Sequence, residues 1–118
     1  MMINDSNITG TAGDFSGVLA YHDINFEGKN LNIKVTGADG KGVNAYKDAK
    51  IYIEGSTIIG TEENFTGVSA QQDNTQLEVN KTTIESQAKN GKGVTASSGA
   101  QISIEDSRIT GTKENFLG

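Results

Sequence analysis

Cysteine, proline and tryptophan are all absent from the 118 residues, and three tyrosines and four phenylalanines supply the whole aromatic content. Without cysteine there is no disulfide framework and no thiolate metal site, and the redox compartment stays open. Without proline, no residue is barred from donating to a backbone ladder. Ten Lys and Arg stand against fifteen Asp and Glu, a net charge of −5 with a pI near 4.7. That balance excludes a nucleic-acid binder that works by phosphate neutralisation. No apolar run approaches the roughly 18 residues of a membrane helix, so this segment is not expected to insert into a membrane. Met1-Met2-Ile3-Asn4-Asp5 has neither the basic nor the apolar region of a secretory signal. Apolar residues make up only 34 %, a share that by composition alone points toward disorder.

Regular spacing argues the opposite. Gly, Ser, Thr and Asn account for 47 of the residues, and they punctuate a repeat. Gly-Val recurs at Gly17-Val18, Gly42-Val43, Gly67-Val68 and Gly93-Val94, with intervals of 25, 25 and 26 residues. An alanine follows two places after each valine, at Ala20, Ala45, Ala70 and Ala96. A second apolar pair comes next, read as Ile24/Phe26, Ile51/Ile53, Leu77/Val79 and Ile102/Ile104, and then a single apolar residue, read as Leu31, Ile58, Ile84 and Ile109, with Ile8 opening the series. Alternation at period two is the strand signal, and no helical stripe persists anywhere. A unit of about 25 residues with three short strands cannot bury its own apolar side chains, but stacked units can.

The expected fold is therefore all-β: a parallel β-helix, or solenoid, of about four to five coils with three short strands each. The coils run over residues 6–30, 31–55, 56–81, 82–106 and, in part, 107–118, as a single segment 1–118. Val18, Val43, Val68 and Val94 form one interior ladder, and Ala20, Ala45, Ala70 and Ala96 a second, at the strand spacing of ~4.8 Å. Neither end shows an amphipathic capping segment, so the chain reads as an uncapped stretch whose coils stack on the rest of a longer parent.

A finer period lies on top. Asp14-Phe15-Ser16-Gly17, Asn64-Phe65-Thr66-Gly67 and Asn115-Phe116-Leu117-Gly118 match one another, while Asp39-Gly40-Lys41-Gly42 and Asn90-Gly91-Lys92-Gly93 match each other. Phe15, Phe65 and Phe116 are expected two coils apart, roughly 10 Å, each filling space left open by the adjacent Gly-Lys-Gly coil. Coil length is read as variable at two corners, from Leu31 to Val43 and from Val18 to Ile24, and constant at the third. Ser, Thr and Asn of that third corner are expected to hydrogen-bond up the stack.

The chemistry-bearing residues do not assemble into a catalytic, cofactor-binding or metal-ligating pattern. His22 is the only histidine and reads as a solvated turn residue. The Gly-Lys-Gly turns lack the Ser or Thr after Lys, and the following helix, that a phosphate loop requires; their glycines are read as permitting positive φ. Glu27, Glu54 and Glu105 are expected at one outward corner, interrupted by Asn80. Asp23, Asp48 and Asp73 share a spacing of 25 and read as a turn device. Asn7-Ile8-Thr9, Asn64-Phe65-Thr66 and Asn80-Lys81-Thr82 fit the glycosylation sequon but carry little information in so Asn/Thr-rich a chain. Tyr21 and Tyr46, 25 apart, point outward if Ala20 and Ala45 point in, and offer an aromatic platform for a sugar or a protein. With Lys41 and Lys92 they are the expected partner-contact surface.

Gly93-Val94-Thr95-Ala96 followed by Gly99-Ala100-Gln101-Ile102-Ser103-Ile104-Glu105-Asp106-Ser107-Arg108-Ile109-Thr110-Gly111, with the same form from Val43 to Gly60, resembles the pertactin-type passenger domains of Gram-negative autotransporters (type V secretion). The resemblance spans nearly the whole chain. It implies a right-handed helix and a secreted or outer-membrane-attached, virulence-associated segment, cysteine-free as suits a chain that crosses the outer membrane unfolded. No Gly-x-Ser-x-Gly protease motif is present. The function expected is a non-enzymatic adhesin or virulence-factor scaffold that contacts a host cell-surface protein, glycan or matrix. Two further readings are a carbohydrate-active or carbohydrate-binding β-helix and a structural spacer within a larger surface protein.

Overall fold

The computed structural model describes residues 1–117; Gly118, the last residue of the fifth expected coil, lies outside them. Among the described residues there is no helix. The first coil is β1 (Met2–Asn4), β2 (Asn7–Gly10) and β3 (Ser16–Ala20), and the second β4 (Asn25–Lys29), β5 (Asn32–Val35) and β6 (Lys41–Tyr46). The third is β7 (Lys50–Glu54), β8 (Thr57–Gly60) and β9 (Thr66–Gln71), and the fourth β10 (Gln76–Asn80), β11 (Thr83–Ser86) and β12 (Lys92–Ser97). Then come β13 (Gln101–Glu105) and β14 (Arg108–Gly111). The strand β1 lies ahead of the first expected coil.

Every strand pairs in parallel with its counterpart one coil on. Sheet A is ordered β1-β4-β7-β10-β13, sheet B β2-β5-β8-β11-β14 and sheet C β3-β6-β9-β12. The chain is thus an all-β parallel solenoid of more than four turns and three sheets. In sheet C, Val18, Val43, Val68 and Val94 stand in one register column, and Ala20, Ala45, Ala70 and Ala96 in another. Val43, Val68, Ala45 and Ala70 are fully enclosed. A thin dry column of this kind needs few apolar residues, so an apolar share of 34 % is compatible with folding: each enclosed Val, Ile or Leu contributes about 1.5–3 kcal/mol.

The register corrects the second apolar series. Phe26 aligns with Ile51, Leu77 and Ile102, and it is Gly28 that aligns with Ile53, Val79 and Ile104. Ile24 lies outside β4 and is 41 % exposed. The column opened by Ile8 continues through Ile33, not Leu31, to Ile58, Ile84 and Ile109. The cause is a size exchange within one coil: a Cβ on Gly28 would lie 2.6 Å from Leu31 Cδ1, so Leu31 fills from the corner the volume that Ile53 fills from the strand in the next coil. With the register restored, the spacing from the Ile8 column to the valine column becomes constant at ten residues and the other varies by a single residue. Val18 to Phe26, Val43 to Ile51 and Val94 to Ile102 each span eight residues, and only Val68 to Leu77 spans nine.

That extra residue falls at the Gln72–Asn74 corner. There the Thr75 amide turns to the Gln72 carbonyl, and the Asp48 amide is received at 3.1 Å by the hydroxyl of Thr75, itself fully enclosed.

The phenylalanines obey a related rule. A Cβ on Gly10, Gly60 or Gly111 would strike the ring of Phe15, Phe65 or Phe116 at about 2 Å, so each ring lies over the glycine of its own coil. The expectation that the rings fill the neighbouring Gly-Lys-Gly coil is corrected to this extent: Gly40 and Gly91 make room chiefly for Val35 and Ser86 of their own coils, while the Phe116 ring also comes within van der Waals reach of a side chain at Gly91, at 3.5 Å.

Candidate functional site

Positive φ is carried mainly by polar residues rather than by glycine. One corner has Asp14, Asp39, Asn64, Asn90 and Asn115 at φ 59–63°, and another Asp5, Asn30, Gly55, Lys81 and Asp106 at 50–62°. Gly40, Gly42, Gly91 and Gly93 are not in this region, which corrects the reading of the Gly-Lys-Gly turns. Gly42 is needed because a Cβ there would meet Ile58 Cγ2 at 2.3 Å and the Gly67 carbonyl oxygen at 2.6 Å. Asn and Asp tolerate the left-handed conformation, and here their side chains also link coils. Asn30 Nδ2 donates to Asp5 at 3.0 Å, Asn64 Nδ2 to Asp39 at 2.9 Å and Asn115 Nδ2 to Asn90 at 3.1 Å.

The second of these corners, between sheets A and B, also carries a hydroxyl relay. Ser56 Oγ receives the Leu31 amide, Thr82 Oγ1 the Ser56 amide and Ser107 Oγ the Thr82 amide, at 3.0, 3.3 and 3.1 Å. Each hydroxyl in turn donates to the carbonyl two residues earlier, that of Glu54, Asn80 or Glu105.

On the outer face of sheet A, Glu27 is not in column with Glu54, as the sequence had suggested. Glu27 aligns with Tyr52, whereas Lys29 aligns with Glu54, followed by Asn80 and Glu105. Asn80 therefore separates Glu54 from Glu105, and Lys29 stands beside Glu54 in place of a third carboxylate. Lys29 Nζ lies 3.4 Å from Glu27, and the Tyr52 hydroxyl donates to Glu54 Oε1 at 2.8 Å. That bond to Glu54 raises the Tyr52 pKa above 10.0, because ionisation would leave a phenolate facing a carboxylate. An open groove of about 1100 Å³ crosses this face, lined by Lys50, Tyr52, Gln76, Glu78 and Gln101 among others. No group of three or more His, Cys, Asp or Glu side chains among the described residues is placed to hold a metal ion, and no helix is long and apolar enough to cross a membrane.

Of the four expected contact residues, the fold brings two together. Tyr21 and Tyr46 stack with ring centroids 5.3 Å apart and an interplanar angle of 8°. The His22 ring lies 4.7 Å from Tyr21, tilted by 54°. His22 and Asp23 take φ of 59° and 63°, and this tight corner turns the His22 ring back onto Tyr21. Lys41 sits at the opposite end of β6 from Tyr46, and Thr66 stands between Lys41 and Lys92 in the register of sheet C. The lysines form no cluster with the tyrosines. Sequence reasoning passed over Leu19, 49 % exposed, on the outward face of β3 and two residues before Tyr21, which follows that strand directly. Its signal was alternation: the residue between Val18 and Ala20 must point out.

Comparison with protein-family models, known proteins and solved structures finds no match to the chain. What the solenoid offers is thus a set of outer surfaces, one of which holds large apolar side chains away from the core.

Proposed function

We propose that this chain is a non-enzymatic β-solenoid segment of a secreted or cell-surface protein, of the autotransporter passenger kind, that contacts a host cell-surface protein. The observation that supports it is the Leu19–Tyr21–Tyr46 patch. Leu19 and Tyr21 are 49 % and 40 % exposed while the column valines of the middle coils are enclosed. Single exposed apolar residues need no explanation, but a contiguous group is the mark of a contact surface, and tyrosine is enriched where proteins meet. Because the two rings cover each other, they offer edges and hydroxyls rather than a pair of open faces. That geometry suits a protein partner better than a sugar, which stacks on an exposed ring face.

Labelled chain is applied to host cells and to immobilised glycans. Leu19→Asn and Tyr21→Ala are expected to weaken cell binding about tenfold, the loss typical of an interface anchor, while Lys92→Ala leaves it unchanged. Binding that is indifferent to Leu19 and Tyr21 overturns the reading, and glycan capture redirects it to a carbohydrate partner. The autotransporter assignment is tested by the parent reading frame: an outer-membrane barrel encoded downstream supports it.

The near-constant coil length favours a second reading, a structural spacer. Only three or four residues join sheet C to sheet A at every turn, leaving no loop excursion to carry a separate site.

A further inference from the structure

We infer that Tyr21 and Tyr46 form an oxidative cross-linking site, in which a haem peroxidase acting with hydrogen peroxide joins the first two coils through a dityrosine bond.

The fold supplies proximity and orientation. Ala20 and Ala45 are register partners in β3 and β6, so the residues that follow them leave adjacent coils side by side. Their rings are 5.3 Å apart and within 8° of parallel. Tyr21 is 40 % exposed and Tyr46 half-buried, which puts both within reach of an external oxidant. The hydroxyl of neither ring has a hydrogen-bond partner among the described residues, in contrast to Tyr52, whose hydroxyl is held by Glu54 at 2.8 Å. His22 lies against Tyr21, leaving Tyr46 as the ring within coupling reach.

The chemistry balances. Each phenol loses one electron and its hydroxyl proton to give a phenoxyl radical. The two radicals pair at ring carbons ortho to oxygen, forming one carbon–carbon bond, and the two ring protons move to the oxygens by tautomerisation. Hydrogen peroxide takes up the two electrons and two protons and leaves as two waters. Radicals held side by side couple as an intramolecular pair, with the advantage that a fixed geometry gives over a bimolecular encounter. The product ties the first coil to the second across 25 residues, the covalent tie that a cysteine-free chain otherwise lacks.

The test treats the intact chain at low concentration with peroxidase and hydrogen peroxide. Dityrosine fluorescence is expected in the monomer band. After trypsin, the peptide 1–29 should be found joined to the peptide 42–47 with loss of two hydrogens. Tyr21→Phe and Tyr46→Phe keep the stacked rings and are each expected to reduce the monomer signal to that of untreated protein, whereas Tyr52→Phe leaves it unchanged. Fluorescence confined to dimers, a linkage through Tyr52, or a monomer signal that survives Tyr21→Phe overturns the assignment.

Discussion

Leu31 stands in the volume that a side chain on Gly28 would claim: a Cβ at 28 would approach Leu31 Cδ1 to 2.6 Å. In the neighbouring coil the same volume is filled by Ile53 over the small Ser56, both buried. Gly28→Ile alone overpacks the core and Leu31→Ser alone empties it, and each is expected to lower stability by about 2–4 kcal/mol. The double substitution recreates the arrangement of the next coil and should recover most of the loss. A urea double-mutant cycle with coupling of about 1–3 kcal/mol is the expected result.

Thr75 is fully enclosed, and its hydroxyl receives the Asp48 amide at the one corner with an extra residue. Thr75→Val keeps the shape and removes the acceptor. A loss of about 1–2 kcal/mol is expected from the stranded amide, measured by thermal unfolding. Faster amide exchange at Asp48 should accompany it.

Lys81 holds φ at 52° in a column where Asn30 and Gly55 hold 56° and 62°. A left-handed conformation disfavours a lysine by about 1–2 kcal/mol relative to glycine. Lys81→Gly is therefore expected to raise the unfolding midpoint, with part of the gain offset by the greater freedom of the unfolded chain. Gly55→Ala should lower it.

Tyr52 titrates above its ordinary 10.0 in the folded chain because its hydroxyl is bonded to Glu54. A folded pKa above the unfolded value means that the neutral form is the one the fold favours. The stabilisation is complete below pH 10 and is lost as pH rises through the folded pKa. An absorbance titration of phenolate formation should show one late tyrosine, and Glu54→Gln should bring it back toward the ordinary value.

The strands, the period and the valine and alanine columns were legible because each coil states them in the same residue types. The register of β4 in sheet A and of β5 in sheet B was not, and the reason is local. At Gly28 the apolar signal vanishes, and at Leu31 it reappears three residues late, so a pattern search that follows hydrophobicity slides to Ile24 and Leu31. Volume, which the core conserves, is shared between positions that hydrophobicity scores separately. The mis-set column then propagated outward, placing Glu27 beside Glu54 when Lys29 occupies that place. Positive φ was assigned to the wrong residues of the corners for a different reason: the glycines of the Gly-Lys-Gly turns were expected to carry it, whereas Asp, Asn, His, Lys and Gln all do, so no single residue type marks it. Of the contact surface, the pairing of Tyr21 with Tyr46 followed from their spacing, but Leu19 carried no motif, and the distance of Lys41 and Lys92 from the tyrosines became evident only from the register.

The packing exchanges in this solenoid fall into two kinds. At several interior positions where side-chain size varies, the complement lies in the same coil: Gly28 with Leu31, Gly10 with Phe15, Gly40 with Val35. Where one coil leans on the next, as a Cβ on Gly17, Gly42 or Gly67 would on Ile33, Ile58 or Ile84, the residue types are the same at every level. At these interior positions each coil balances its own volume, so a change of size at Gly10, Gly28 or Gly40 finds its compensating substitution within the same turn of the chain rather than in the turn above or below.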